Sequence, residues 1–241
     1  MTTQEYIDKS PYDLPGFEGD IAWVRGWEGH FGRPYWPGGA SGLTLDPGVD
    51  LGYIDPTLVY ELYIDVLSVE TIEMLLEYQG LTGEAARSVM YFDKVKQVRI
   101  SEEQATSVFP FVAGPYWEDI VSRFPGLKEA PGAVQTAFLS LSINRGPYNS
   151  DLHLLSGPLE QKDWSAIANR IDGMQNNHSL RGVTKRRDAE AELVEEAAAK
   201  LRNARLQKLS EMFMESGAEP APLADLVMDP IVPSEFIPQT L

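Results

Sequence analysis

The sequence predicts an α+β fold that is predominantly α-helical, with a small β-hairpin subdomain, a larger helical lobe and a cleft between them. Three observations carry this expectation. Between residues 42 and 53, Leu43-Thr44-Leu45 and Val49-Asp50-Leu51-Gly52-Tyr53 alternate on either side of the turn residues Asp46-Pro47-Gly48, a hairpin pattern. From Ser101 onward the spacing becomes helical. Ser101 and Gln104 form a capping box, Val134, Phe138, Leu141 and Arg145 recur along a segment opened by Pro131, and Ala189, Leu193, Ala197 and Leu201 recur within 184–212. Ahead of the hairpin, Ile21, Val24, Glu28 and Phe31 share one face if 20–31 is helical, which sets a single carboxylate in an apolar stripe.

Taken in order, residues 1–19 carry Pro11, Pro15 and Gly16 and read as an extended arm that packs through Tyr6, Tyr12 and Phe17. Residues 20–216 form the folded domain. Asp55-Pro56-Thr57 starts a helix with proline at its first position, and 70–77 and 84–90 read as two short helices broken at Gly80 and Gly83. Residues 95–100 alternate, as an extended segment or a simple linker. Tyr116, Trp117, Ile120 and Val121 form the inner face of a segment that follows the Ser101 helix and breaks at Pro125-Gly126. Trp164 and Ile167 mark another amphipathic helix, and 174–178 is a polar loop. In the long 184–212 helix most charges form a solvated face, with Arg186–Glu190 an i,i+4 pair. Residues 217–241, dense in proline, favour an extended tail.

Composition narrows the classes. The 241 residues and 43% hydrophobic content suit one domain with a real core plus appendages. No cysteine is present, which excludes disulfides and thiol catalysis, and His30, His153 and His178 are too scattered for a metal-ligand motif. A net charge of −16, from 36 acids against 20 bases, argues against general binding to nucleic acid or anionic membranes. No signal peptide is visible in residues 1–20, and no stretch approaches the ~20 apolar residues of a membrane span.

The chemistry is carried by Glu28, Thr44 and Asp50. A carboxylate in an apolar stripe is desolvated and can hold its proton near neutral pH, as a general acid must, whereas a glutamate at the rim of the stripe is simply solvated. With a period of two, Thr44 and Asp50 fall on the same side of the hairpin. A hydroxyl and a carboxylate near a buried acid suit inverting glycoside hydrolysis, in which one carboxylate orients water and the acid protonates the leaving oxygen.

Glu28, the glycine-rich run 38–42, and Thr44 with Asp50 in GLTLDPGVDLGY resemble the phage lysozyme and pesticin family of muramidases. Three later stretches fit the same order: ISEEQA at 100–105, QTAFLSLSINRG at 135–146 and GVTKRRDAE at 182–190. The resemblance covers roughly 20–205 and implies a lysozyme-like catalytic domain. It implies an N-acetylmuramidase that cleaves the β-1,4 bond between N-acetylmuramic acid and N-acetylglucosamine. Glu28 is then the acid, and Asp50 with Thr44 holds the water. Asp46 stands where the family has small residues and competes with Asp50 for the second role. Tyr53, Asn144 and Arg187 are the expected substrate contacts, with Asn144 and Arg145 equally readable as a helix end, and either Arg186 or Arg187 approaches the acid.

No cofactor or metal is implied. The expected partners are peptidoglycan glycan strands and an inhibitor or immunity protein, with no nucleic acid, no membrane insertion and a monomeric state. Such an enzyme is made in the cytoplasm and reaches the bacterial wall through a holin, a particle or a secretion machine. Two other functions compete. A lytic transglycosylase needs Glu28 alone, and an inactive lysozyme-like scaffold would bind the wall or serve a particle.

Overall fold

Asp20 opens the first helix, α1 (Ile21–Arg25), by accepting the Trp23 amide at 2.8 Å, and Gly26 closes it after five residues. The computed structural model describes residues 14–175 and 181–216. Tyr6 and Tyr12 of the arm, residues 176–178 of the polar loop, and the tail lie outside them. The expected helix over 20–31 therefore stops early. Glu28 occupies the turn that follows, and Phe31 is 56% exposed rather than part of an apolar stripe. The physical reason is the run Gly26, Gly29 and Gly32, the last at a φ of 67°, which favours turns over helix propagation.

The hairpin forms as β1 (Thr44–Leu45) and β2 (Val49–Asp50), with Thr44 opposite Asp50 and Leu45 opposite Val49. Leu43, Leu45, Val49 and Leu51 are buried as the alternation requires. Tyr53 departs from it, being 69% exposed, because the strand ends at Asp50 and 51–54 form a turn. Thr44 is buried on the opposite face as well, since Tyr35 bridges it as a third antiparallel segment.

Among the described residues the rest is helical. Helices α2 (Pro56–Tyr63), α3 (Val69–Leu76), α4 (Gly83–Val89) and α5 (Asp93–Lys96) follow the hairpin; α5 takes 95–96 of the segment read as extended or linker, and 97–100 are a non-helical connection. The long α6 (Glu102–Arg123) begins with both bonds of the Ser101–Gln104 capping box. It runs through Pro110 and Pro115 as one helix where two segments were expected. Each proline costs a backbone bond, and burial of Phe109, Ala113, Trp117 and Ile120 holds the helix together across them. A 3-10 turn (Pro125–Glu129) leads to α7 (Gly132–Arg145). A second 3-10 turn (Ser150–Leu155), α8 (Ser156–Glu160), α9 (Trp164–Asp172) and α10 (Arg181–Ser216) complete the order.

Two apolar cores result. One joins the hairpin to α2, α3 and the start of α6 through Leu43, Leu62, Ile72 and Val108. The other surrounds α7 through Val24, Trp117, Phe138, Leu141, Ile167 and Val194. Phe17 of the arm packs edge-on against Trp117 at 4.9 Å. Every residue of α7 from Val134 to Ser142 is buried, so its polar side chains need partners. Gln135 Oε1 accepts the Glu18 amide at 2.6 Å and Thr136 Oγ1 the Asp20 amide at 2.7 Å, which fixes the start of α1.

The chain divides into two compact units, Met1–Ala197 and Ala198–Leu241, and the described part of the second is helix that is mostly exposed from Leu201 onward. No helix among the described residues is long and apolar enough to cross a membrane.

The hairpin depends on one missing side chain. A Cβ on Gly42 would collide with the Gly52 amide nitrogen and with Asp50 Oδ1. Gly42→Ala is therefore expected to cost about 1–3 kcal/mol in urea denaturation. Gly126→Ala, whose Cβ meets nothing within 4 Å, is expected to stay within about 0.5 kcal/mol.

Candidate functional site

The loop that carries Glu28 is tied at both ends. On one side Arg25, itself buried, donates from Nη1 to the carbonyls of Glu28 at 3.0 Å and Gly29 at 3.4 Å. These carbonyls belong to the turn after α1, so the buried cation fixes the path of the chain through Glu28. On the other side Asp46, also buried, accepts the Phe31 and Gly32 amides through Oδ2 at 2.9 and 2.6 Å. His30 Nδ1 lies 3.3 Å from the same oxygen. Asp46 was the competitor of Asp50 for the second carboxylate. It reaches back instead and joins the hairpin to the Glu28 loop.

On the hairpin, Thr44 and Asp50 stand opposite each other on one face, as the alternation predicts. The surroundings of both are more closed than expected. Thr44 is buried and its hydroxyl donates to the Gly42 carbonyl at 3.3 Å. Asp50 Oδ1 accepts the amides of Gly42 at 2.9 Å and Gly52 at 2.8 Å, while Oδ2 has only a longer contact to Gly42 at 3.1 Å. Oδ2 thus keeps lone-pair capacity for a water.

Tyr35, which the sequence reasoning passed over, sits among the acids. Burial pushes its phenol up, and the charges of Asp46, Asp50 and Glu28 add to the effect against Arg25. Its ring stacks on Phe31 at 3.7 Å. Its spacing from Thr44 gave no periodic signal, because the bridge that joins them lies outside the hairpin.

The third side comes from α10. Glu28, 28% exposed, has Oε1 2.9 Å from Arg186 Nη1, an ion pair rather than an aligned hydrogen bond. Arg186 is buried and donates from Nε to Ser140 Oγ at 3.0 Å and from Nη2 to the Ser140 carbonyl at 3.1 Å. Arg187 turns away from Glu28. It is fully buried and donates from Nη2 to Glu190 Oε1 at 2.8 Å and to Asn144 Oδ1 at 3.3 Å. The Ser140 hydroxyl also donates to Glu190 Oε1. Burial dominates both members of the Arg187–Glu190 pair, pushing the carboxyl up to about 7 and the guanidinium down to about 10, each against the other's attraction. Glu190 Oε2 and Arg187 Nε and Nη1 have no hydrogen-bond partner among the described residues, which sharpens that cost.

Glu28 meets Arg186, Thr44 pairs with Asp50 across the hairpin, and Tyr35 bridges Thr44 while feeling the charges of both Glu28 and Asp50. Of the two arginines, Arg186 is the one that approaches Glu28. Arg187, expected at the substrate, is instead sealed inside, where Asn144 of α7 and Glu190 of α10 accept its Nη2. Asn144 and Tyr53 are exposed, and the Tyr53 hydroxyl donates to the Ala40 carbonyl at 2.8 Å. Glu190, expected on a solvated face, is buried. Among the described residues no three His, Asp or Glu side chains are gathered in a way that would hold a metal ion. No protein-family model matches the chain, and neither does any curated protein.

Ser140 serves two buried charges at once. Ser140→Ala is expected to lower stability by about 1–3 kcal/mol in chemical denaturation, the cost of leaving them short of a partner.

Proposed function

We propose that this chain is a lysozyme-like peptidoglycan hydrolase, an inverting N-acetylmuramidase acting on the glycan strands of the bacterial wall. The observation that carries the reading is the meeting of Arg186 with Glu28 at 2.9 Å, beside a hairpin that pairs Thr44 with Asp50. In this reading Glu28 protonates the glycosidic oxygen and Asp50 Oδ2 takes a proton from the attacking water. The scaffold of Thr44 keeps the hairpin in register, and Arg186 orients the acid. Asp46 is unsuited to the second role, since it is buried and committed to the amides of Phe31 and Gly32.

One observation favours a second reading. Three backbone contacts occupy the Asp50 carboxylate and the Thr44 hydroxyl is buried, which suits a lytic transglycosylase that uses Glu28 alone. Product analysis separates the two: a 1,6-anhydro end marks the transglycosylase, and a reducing end of inverted configuration marks the hydrolase.

Turbidity loss of purified peptidoglycan tests the assignment. Glu28→Gln is expected to reduce the rate by about 10²–10⁴-fold, the usual worth of general acid–base catalysis. Its stability should change by less than ~1 kcal/mol, since a partly exposed ion pair contributes little. Asp50→Asn should be severely impaired and Asp46→Asn should remain within about tenfold. A Glu28→Gln protein with wild-type rate sinks the proposal.

A further inference from the structure

The guanidinium that meets Glu28 sits at the end of a long side chain with large rotamer freedom. Its position on Glu28 therefore depends on what holds its other edge. Nε and Nη2 are both directed at Ser140, and Nε lies 3.4 Å from Glu190 Oε1, which leaves Nη1 for Glu28. Glu190 is in turn fixed by the Ser140 hydroxyl and by Arg187. A chain of contacts thus runs from Arg187 through Glu190 and Arg186 to Glu28, and all but its last member is buried.

We propose that Glu190, with Ser140, is a positioning residue of the site: it holds the Arg186 guanidinium in the one orientation that sets the Glu28 carboxyl. Its catalytic consequence rests on the hydrolase reading above, whereas the clamp itself does not. The groups that build it come from two helices, α7 and α10. A buried acid four residues from Arg186 could have served only to neutralise the two arginines. The bonds show more than neutralisation, because Glu190 Oε1 and the Ser140 hydroxyl converge on the edge of Arg186 opposite Glu28.

The experiment is a double-mutant cycle on the full chain, read by peptidoglycan hydrolysis per folded molecule and by NMR of the Arg186 Nε–H. Glu190→Ala is expected to lower kcat by about tenfold or more with KM within about twofold, because a small misplacement of a reacting group is costly. Glu190→Gln, which keeps an acceptor at the same reach, should recover most of the loss. In an Arg186→Met background Glu190→Ala should lower kcat no further, since the group it positions is gone. The Arg186 Nε–H signal, assigned by its loss in Arg186→Met, should be sharp and slow to exchange in the wild type and broadened in Glu190→Ala. If Glu190→Ala fails to fold, Ser140→Ala takes its place and should move kcat and the Nε–H signal in the same directions by less.

A kcat that is unchanged per folded molecule, or losses that add fully in the double variant, overturns the proposal. So does an Nε–H signal that neither variant disturbs. A wild type that leaves peptidoglycan intact ends the hydrolase reading, and the NMR arm then decides alone whether Glu190 holds Arg186.

Discussion

A guanidinium taken out of water must be met by partners around its whole rim, and Arg186 finds them in three separate parts of the chain. Ser140 comes from the middle of α7, Glu190 from the next turn of α10, and Glu28 from the loop after α1. Losing the Ser140 hydroxyl deprives the buried Nε of its closest acceptor, and such a loss is costlier than the bond is individually worth. The requirement therefore ties the chain near residue 28 to the chain near residue 190 without a covalent link. Burial makes this group of charges a poor source of net stability, as the displaced titrations of Glu190 and Arg187 indicate. Its contribution is to geometry.

Helix α7 is the frame for that geometry. It is buried from Val134 to Ser142, and the polar residues of that stretch are spent on neighbours rather than on solvent. Gln135 and Thr136 receive the amides that precede α1, Ser142 donates to the Tyr116 carbonyl of α6, and Ser140 receives α10. One helix thus sets the start of the segment leading to Glu28 and the position of the arginine that meets it. On the hairpin side Asp46 gives the loop its second anchor, and the Tyr63 hydroxyl, donating to the Asp46 carbonyl at 2.7 Å, holds that anchor against the other core. The carboxyl of Glu28 is left as the half-open group between fixed walls. In the proposed hydrolase, preorganisation of this kind would let Glu28 give up its proton without first rearranging its surroundings.

Local signals in the sequence were enough for most of the elements. The capping box at Ser101, the proline-led starts at Pro56 and Gly132, and the turn residues around Pro47 act over a few residues, and the structure has each of them. That Thr44 and Asp50 share a face followed from alternation, and the turn at 46–48 sets them directly opposite each other. What local pattern could not decide was which charges are inside. Glu190 read as half of an i,i+4 pair on a mostly solvated face, and only the family resemblance singled out Arg186 or Arg187, since helical spacing is the same whether the partner surface is water or another helix. Only the packing of α10 on Ser140 buries them. Likewise the apolar stripe around Glu28 was broken by glycines whose turns take shape through Arg25 and Asp46, one adjacent in sequence and one far along it. The sequence by itself determined the helices, the hairpin and the candidate residues. The tertiary structure decided which arginine meets Glu28, because that choice depends on long-range partners that satisfy buried charge.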